Sequence, residues 1–346
     1  MNAITDVAGV RVGHSTIVRG RGRLVPGTGP IRTGVTAVIP RDDVWHRKVA
    51  AGAAVLNGAG ELTGLHWVIE SGFLEVPVLY TNTHSVGSVM DGVVAWMVRE
   101  NRSVGIQENV VAPVVGECDD SSLNDIRGLH VTRAHVAAAL DSARNGPVEE
   151  GSVGAGTGMM SFGFKAGIGT ASRVVPVLGR SYTLGALVVA NFGQTPELLI
   201  DGRALGPVLM NLVKQPAAPR LRDGSVQVLF ATDAPVDARQ LGRIARRAGL
   251  GLGRVGHRGH DGSGDFALAF STAHTIRAES RGSRVSMTVL PEPHLDSLFE
   301  AAEDCVEESV LNALFAAPTM EGRDGEVAPG IPAAEVARRL RLPGAR

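Results

Sequence analysis

Glycine within apolar, strand-like segments is the feature of this sequence that most constrains its fold. The chain has 44 glycines among 346 residues, about 13% against a usual 7%. They follow no fixed period, so neither collagen nor a low-complexity chain explains them. Glycine weakens a strand unless two backbones approach closely, turn sharply or expose their amides. The pattern therefore predicts tightly packed β-layers and a site built partly from main chain.

Strand-like runs and segments of helical periodicity are interspersed along the chain. The predicted strands cover residues 34–40, 76–80, 182–191 and 226–232, and the predicted helices cover residues 86–98, 132–144, 238–248 and 295–316. Thr132 and Asp237 are expected N-caps, and Gly146 and Gly249 are expected helix stops. The order is too irregular for a TIM barrel or a doubly wound sheet, so it predicts a layered α/β protein. Residues 215–224 are predicted to form an exposed loop, and residues 330–346 a docked or partly disordered tail.

Charge and hydropathy argue against nucleic acid and membranes as partners. The 34 basic and 35 acidic residues give a net charge of -1, which supplies no electrostatic attraction for either surface. The first residues lack the basic and apolar regions of a signal peptide, and no uncharged apolar run reaches membrane-spanning length. We therefore expect a soluble, cytoplasmic protein.

The sequence offers no recognisable metal or cofactor motif. Cys118 and Cys305 form no CxxC pair, so neither a disulfide framework nor a structural zinc site is expected. Walker A, HExxH and GxSxG are absent, and the glycines at 154, 156 and 158 lack dinucleotide-binding spacing and indicate close packing. His257 and His260 are expected to be solvent-exposed loop residues. We expect neither a metal nor a cofactor.

The glycine-rich segment 256–265 is the stretch best suited to chemistry. It places Ser263 between two glycines, directly before the strand-like residues 266–270. One interpretation is a loose turn entering a strand. The other is that Ser263 Oγ attacks the carbonyl carbon of Gly262 and forms an ester, which water then hydrolyses. This reaction would leave Ser263 with a hydroxyl and a free α-amine, whose reference pKa of about 7.7–8.0 allows it to act as a local base.

The order of short motifs along the whole chain resembles the L-aminopeptidase/D-esterase-amidase and β-aminopeptidase family. The motifs lie at residues 2–14, 32–37, 116–120, 123–126, 151–158, 164–169, 189–191, 231–235 and 262–265. The resemblance implies a single-domain, four-layer αββα sandwich of the DmpA-like type and an autoproteolytic N-terminal-serine hydrolase. Self-cleavage between Gly262 and Ser263 would give residues 1–262 and 263–346. Substrates would be small peptides, amides or esters with a free amine, and assembly into homo-oligomers of four or more chains is expected.

The resemblance also implies roles for individual residues. Ser263 would be the nucleophile, Asn191 the oxyanion-hole donor, and Glu117 the carboxylate near the substrate ammonium. Asp119 stands where some members have a tyrosine, so it is a candidate substrate contact. Lys165 corresponds to a lysine beside the nucleophile in related hydrolases, but a buried structural lysine is the equal alternative.

A downstream Ser-x-Glu pair of the family is matched to Cys305-Val-Glu307, with Cys305 in place of the serine. Glu303 and Glu307 lie four residues apart on one helical face, so either could supply the carboxylate that orients Ser263. A solvated acidic helix face is the alternative.

Two other functions remain open at this point. One is acyl transfer of the ornithine acetyltransferase type, which shares the self-cleavage but uses a threonine nucleophile. The other is an uncleaved, glycine-rich binding protein in which residues 262 and 263 only form a turn.

Overall fold

Two β-sheets with helices outside them form the fold, and the computed structural model describes residues 1–211, 224–277 and 286–341. The strands are β1 (Arg11–Arg19), β2 (Ile31–Ile39), β3 (Arg47–Gly58), β4 (Phe73–Leu74), β5 (Val78–Asn82), β6 (Val114–Cys118), β7 (Met160–Ser161), β8 (Phe164–Lys165), β9 (Ile168–Val177), β10 (Arg180–Asn191), β11 (Leu199–Ile200), β12 (Arg203–Ala204), β13 (Ser225–Thr232), β14 (Gly264–Arg277), β15 (Met320–Glu321) and β16 (Val327–Ala328). The helices are α1 (Leu65–Ser71), α2 (Val86–Glu100), α3 (Arg133–Asp141), α4 (Gly206–Met210), α5 (Ala238–Arg246), α6 (Ala248–Arg254), α7 (Asp296–Phe315) and α8 (Ala333–Leu340).

The two large sheets are both mixed. The four-stranded sheet has the order β1-β2-β5-β6, with a parallel β5/β6 pair. The six-stranded sheet has the order β4-β3-β14-β13-β10-β9, with a parallel β13/β14 pair and antiparallel neighbours elsewhere. β14 is thus an interior strand that pairs with β13 on one side and β3 on the other.

Two hydrophobic clusters separate four layers. One cluster fills the space between the sheets and continues under α2 and α3, so that it joins Val38 of the smaller sheet to Leu229 and Leu268 of the larger one and also contains Val93 and Val136 of the two helices. Helices α2 and α3 cover the outer face of the smaller sheet, while α5 and α7 cover that of the larger sheet. The second cluster fills the space under α5, α6 and α7. The architecture is the αββα sandwich that the resemblance implies.

Glycines in the strands let helix backbones approach the larger sheet closely. A Cβ on Gly169 of β9 would lie 1.8 Å from the carbonyl oxygen of Ser309 in α7, and one on Gly52 of β3 would lie 2.4 Å from that of Ala238 in α5. Side chains at either position would force the helix away from the sheet. The high glycine content therefore has the predicted effect of tightening the layers.

All eight predicted strands and helices are present, with shifted ends. Asp237 is confirmed as the N-cap of α5, where its side chain accepts from the amide of Gln240 at 2.7 Å. Thr132 occupies the N-cap position of α3. The helix stop predicted at Gly146 is displaced, because α3 already ends at Asp141.

The helix stop predicted at Gly249 is wrong. Gly249 lies inside α6, which begins at Ala248 directly after α5. Close packing on α7 requires a glycine at Gly251 of the same helix, where a Cβ would lie 2.7 Å from the carbonyl oxygen of Glu303. At Gly249 a Cβ would make only ordinary contacts, the nearest being Leu56 at 3.8 Å, so nothing in the packing requires a glycine there.

The two predicted loop and tail segments are only partly described. Apart from Gly224, the loop at 215–224 lies outside the described residues. The tail contains α8, whose Val336 is buried in the second cluster, so residues 330–341 are docked against the larger sheet and its helices. Residues 342–346 lie outside the described residues. Among the described helices, none combines the length and apolar character needed to span a bilayer.

Candidate active site

Ser263 lies at the start of β14, where three neighbouring strands bring polar residues into one row. β14 begins at Gly264, which pairs with Ser225 at the start of β13, and Ser225 pairs with Asn191 at the end of β10. Neighbouring strands lie about 4.8 Å apart, so these positions share one end of the sheet. Ser263 itself is fully buried.

Asn191 has its side-chain amide fixed in orientation. Its Oδ1 accepts from the amide of Met160 at 3.0 Å, so Nδ2 points the opposite way. Nδ2 donates to the carbonyl oxygen of Asp119 at 2.9 Å and to Ser225 Oγ at 3.3 Å. The longer bond runs along the row toward β14, the strand that follows Ser263.

Glu117 is brought to the same end of the sandwich by β6 of the other sheet. Its carboxylate is buried and accepts from the hydroxyl of Thr83 and, at 3.1 Å, from the amide of Glu61. A Cβ on Gly60 would lie 2.8 Å from Glu117 Oε1 and 3.0 Å from Gly264 Cα, so only a glycine fits between them. Burial raises the pKa of Glu117, against the lowering effect of its two donors.

Asp119 lies at the exposed edge of this group. Its carbonyl oxygen is held by Asn191, and its carboxylate accepts from the amide of Ser121 at 2.8 Å. The structure therefore brings Asn191, Glu117 and Asp119 to the end of the two sheets at which Ser263 lies, and the roles proposed for these residues stay predictions.

Lys165 is buried but serves a neighbouring loop. Its Nζ donates to three carbonyl oxygens, of Gly156 at 3.1 Å, Met159 at 2.8 Å and Ala166 at 2.6 Å. Burial lowers the pKa of Lys165 to about 7. The three carbonyl acceptors favour the charged form in the opposite direction, because an ammonium has three N–H donors. The lysine thus ties together the loop whose Met160 amide holds Asn191, which is the structural alternative left open by the sequence.

The structure does not bring Glu307 or Glu303 to Ser263. Both carboxylates pair with Arg254 of α6, Glu303 at 3.0 Å and Glu307 at 3.5 Å. Cys305, between them, donates to the carbonyl oxygen of Leu184, which lies seven residues before Asn191 on β10. At about 3.3 Å per residue this contact of Cys305 lies roughly 23 Å from the row. Among the described residues, the carboxylate of Glu307 is paired with Arg254 and not with Ser263, so the structure adds no support to its predicted orienting role, which stays a prediction.

Asp265 supplies a carboxylate at Ser263 that the sequence analysis left without a role. Ser263 Oγ donates to Asp265 Oδ1 at 2.6 Å, and Asp265 Oδ2 lies 2.8 Å from His257 Nε2. Residues i and i+2 of a strand point to the same face, so the Ser-x-Asp spacing was the available signal. The expectation that His257 is an exposed loop residue is wrong, since its side chain is only 7% exposed.

The loop before Ser263 is held at several points. The carbonyl oxygen of His260 accepts from the amide of Ser263 at 2.9 Å and from Asn57 Nδ2 at 2.7 Å. The His260 ring lies 3.1 Å from the carboxylate of Glu197, with 29% of the side chain exposed. The described residues contain no cluster of three or more His, Cys, Asp or Glu side chains suited to a metal ion.

Comparison with known proteins identifies the family. Residues 2–328 match peptidase family S58. The chain belongs to peptidase family S58. It is 45% identical to a β-peptidyl aminopeptidase from Sphingosinicella microcystinivorans, over 97% of this chain and 86% of the relative. A β-aminopeptidase from a Burkholderia species superposes with a TM-score of 0.90 at 43% identity, over 100% and 95% of the two chains.

A third relative shows that the fold is of the Ntn-hydrolase type. The L-aminopeptidase D-Ala-esterase/amidase of Ochrobactrum anthropi, described as a variant of the Ntn-hydrolase fold, superposes with a TM-score of 0.90 at 42% identity, over 98% of this chain and 94% of that one. This S58 chain is accordingly an Ntn-type serine hydrolase with aminopeptidase and amidase character. The comparisons support neither the acetyltransferase nor the binding-protein alternative.

Proposed function

We propose that the chain cuts itself between Gly262 and Ser263 and becomes an aminopeptidase whose nucleophile is the new terminal residue. The proposed products, residues 1–262 and 263–346, would stay associated, because the second piece supplies the interior strand β14 and the helix α7. The fixed turn before Ser263, in which the amide of that residue bonds to the carbonyl oxygen of His260, supports this junction.

The row of Asn191, Ser225 and Gly264, with Glu117 beside it, is the observation that carries the proposal. In the cut enzyme, Ser263 Oγ attacks the substrate carbonyl carbon while the α-amine of Ser263 takes the hydroxyl proton. Asn191 Nδ2 donates to the oxyanion, and the carboxylate of Glu117 binds the substrate ammonium. The bond between the carbonyl carbon and the leaving amine or alcohol then breaks, and the α-amine of Ser263 returns the proton to that leaving group. Water hydrolyses the resulting acyl-enzyme and releases the first residue of the substrate.

The proposed substrates are small peptides, amides or esters that carry a free amine. The 45% identical relative is named a β-peptidyl aminopeptidase, so we include peptides with an N-terminal β-amino acid. Asp119, exposed at the edge of the site, is the proposed contact for the part of the substrate beyond the amine. Neither a metal nor a cofactor takes part in the proposed steps.

Assembly and location are also part of the proposal. A homo-oligomer of four or more chains follows from the habit of the family, and light scattering on the purified protein tests it. A cytoplasmic location is supported by Cys118 and Cys305, which are both free thiols in a fold that disulfides do not cross-link. Fractionation of the native cell tests that location.

Intact mass spectrometry of the denatured protein tests the central claim. Wild type should give two polypeptides with the junction at Gly262–Ser263, and Ser263→Ala should give one full-length chain without amidase activity. Release assays on L-, D- and β-amino-acid amides would then define the substrate preference. A normally cut Ser263→Ala protein, or an active wild type with an intact junction, would refute the proposal.

A further inference from the structure

Asp265 and His257 form a hydrogen-bonded chain with Ser263 that the proposed turnover does not use. The chain runs from Ser263 Oγ to Asp265 Oδ1 at 2.6 Å and from Asp265 Oδ2 to His257 Nε2 at 2.8 Å. Asp265 is 1% exposed, and the His257 ring packs edge-on against Phe192 at a centroid distance of 4.6 Å. A carboxylate so deeply buried, with one oxygen on a hydroxyl, is placed to exchange a proton with it.

This chain lies on the opposite face of the larger sheet from Asn191 and Ser225. Along β14, Phe266 and Leu268 belong to the cluster between the sheets, while Ala267 and Ala269 belong to the cluster under the helices. Alternation therefore points Asp265 toward the helices. On β10, Val189 faces the other sheet, so Asn191 does as well. Before cleavage, the hydroxyl of Ser263 is thus bonded on the side away from the proposed oxyanion donor.

We propose that Asp265 is the proton acceptor for self-cleavage at Gly262–Ser263, and that His257 is a positioning residue that holds the carboxylate toward Ser263. This inference rests on the self-cleavage proposed above. It separates the base that makes the active site from the α-amine that serves in turnover.

The proton and bonds balance as follows. Ser263 Oγ loses its proton to Asp265 Oδ1 as Oγ bonds to the carbonyl carbon of Gly262. The bond between that carbon and the nitrogen of Ser263 then breaks, and Asp265 returns the proton to the nitrogen. The product is an ester between Gly262 and Ser263 Oγ, with a free amine on Ser263. Water cleaves the ester to give the carboxyl group of Gly262 and the hydroxyl of Ser263.

His257 suits a positioning role because its Nε2 is hydrogen-bonded to one oxygen of the Asp265 carboxylate. A carboxylate only accepts hydrogen bonds, so Nε2 carries the proton donated to Asp265 Oδ2. The ring thereby occupies one carboxylate oxygen and leaves the other for Ser263. Its edge contact with Phe192 fixes the ring plane. Removal of this donor should leave the side chain of Asp265 free to turn away from the hydroxyl.

The first test compares Asp265→Asn with wild type and Ser263→Ala, all as full-length chains made by cell-free translation. Asparagine keeps the size and an acceptor oxygen but is not a base. General base catalysis contributes about 100- to 10,000-fold, so the appearance of the two fragments should slow at least 100-fold. Ser263→Ala stays uncut and supplies the reference melting temperature for a folded precursor.

Hydroxylamine identifies the step that is lost. It cleaves an accumulated ester to a Gly262 hydroxamate, which mass spectrometry recognises. The proposal expects no hydroxamate from Asp265→Asn, because the ester does not form. Rapid release of the hydroxamate, or a wild-type rate without hydroxylamine, overturns the proposal. If wild type itself stays uncut, the proposed self-cleavage fails, and that outcome is separate.

The second test compares His257→Gln with His257→Leu, two replacements of similar size. Glutamine keeps an N–H donor for Asp265, whereas leucine fills the space without one. Loss of a hydrogen bond to a charged group corresponds to about 10- to 100-fold, so leucine should slow cleavage by that factor and glutamine should restore most of it. Equal cleavage rates overturn the proposal, and this pair decides the matter if Asp265→Asn does not fold.

Discussion

The two faces of the larger sheet at the start of β14 carry different groups for the same serine. On the face toward the other sheet lie Asn191 and Ser225, with Glu117 opposite across Gly60. On the face toward the helices lies Asp265, backed by His257. Among the residues that the structure describes, it is Asp265 of the second face that accepts from the hydroxyl of Ser263 in the intact chain. Because successive side chains of a strand point to opposite faces of the sheet, Ser263 lies next to two different sets of polar groups.

In the proposed scheme, this difference lets one serine serve two reactions. While residue 263 is held between Gly262 and Gly264, its hydroxyl is bonded to Asp265. Once the proposed self-cleavage cuts the bond before it, residue 263 becomes a chain terminus, and we expect its amine and hydroxyl to turn toward Asn191. Substitutions on the two faces should therefore separate maturation from turnover.

Asn191→Ala should give the largest loss of turnover. Removal of an oxyanion donor costs about 100- to 1,000-fold in kcat, and KM should change little. Self-cleavage should continue, because the proton acceptor lies on the other face. Steady-state kinetics on a β-amino-acid amide and intact mass spectrometry measure the two effects. The division between faces fails if Asn191→Ala blocks cleavage as strongly as Asp265→Asn.

Glu117→Gln should affect substrate binding next. Loss of a charged acceptor for the ammonium predicts an increase in KM of about 10- to 100-fold with a smaller change in kcat. Because burial raises the pKa of Glu117, wild-type KM should begin to rise at a higher pH on acidification than an ordinary glutamate would give. The variant should lack this rise. An unchanged KM would remove Glu117 from the ammonium site.

The stability of Glu117→Gln should change in the opposite sense to its activity. A carboxyl with a raised folded pKa contributes stability below the unfolded pKa of about 4.3 and loses it as pH rises through the folded value. Glutamine removes this loss, and its oxygen and NH₂ group can still bond to Glu61 N–H and the Thr83 hydroxyl. At neutral pH the variant should melt no lower than wild type in calorimetry. A lower melting temperature would show that the carboxylate is needed for folding.

Lys165→Met should combine a loss of stability with a smaller loss of rate. The change leaves three buried carbonyl oxygens without the ammonium. Each unsatisfied group costs about 1–3 kcal/mol of stability, and movement of the loop offsets part of this cost. We expect about 2–4 kcal/mol lower stability and roughly tenfold lower kcat, because Met160 no longer holds Asn191 firmly. A loss of rate equal to that of Asn191→Ala, at unchanged stability, would instead favour a catalytic lysine.

The outcome at particular residues shows which inferences a sequence supports. Asn191 was placed correctly at the end of β10, because the strand-like run of residues 182–191 ends there, and its role as oxyanion donor stays a prediction. Asp265 lay within a motif but was given no role, although its spacing of two from Ser263 predicts that both side chains share one face of the strand. The exposure of His257 was predicted wrongly because glycine-rich loops are usually exposed. The loop before Ser263 is instead held against the sheet by the contacts of His260 with Asn57 and Glu197. The self-cleavage itself stays a prediction.

Glu307, whose predicted role gains no support from its contacts, gives the smallest expected effect. Helical periodicity shows that Glu303 and Glu307 share a face, but it does not show at which end of the sheet that face lies. The structure pairs both with Arg254, which is 38% exposed, and surface ion pairs contribute only about 0–1 kcal/mol. Glu307→Gln should therefore leave self-cleavage, kcat and KM unchanged and shift the free energy of unfolding by no more than about 0.5 kcal/mol. Glu303→Gln is the matched control. A selective loss of processing in Glu307→Gln alone would mean that α7 reaches Ser263 after all, and that the groups acting on the serine are not confined to the two faces of the sheet.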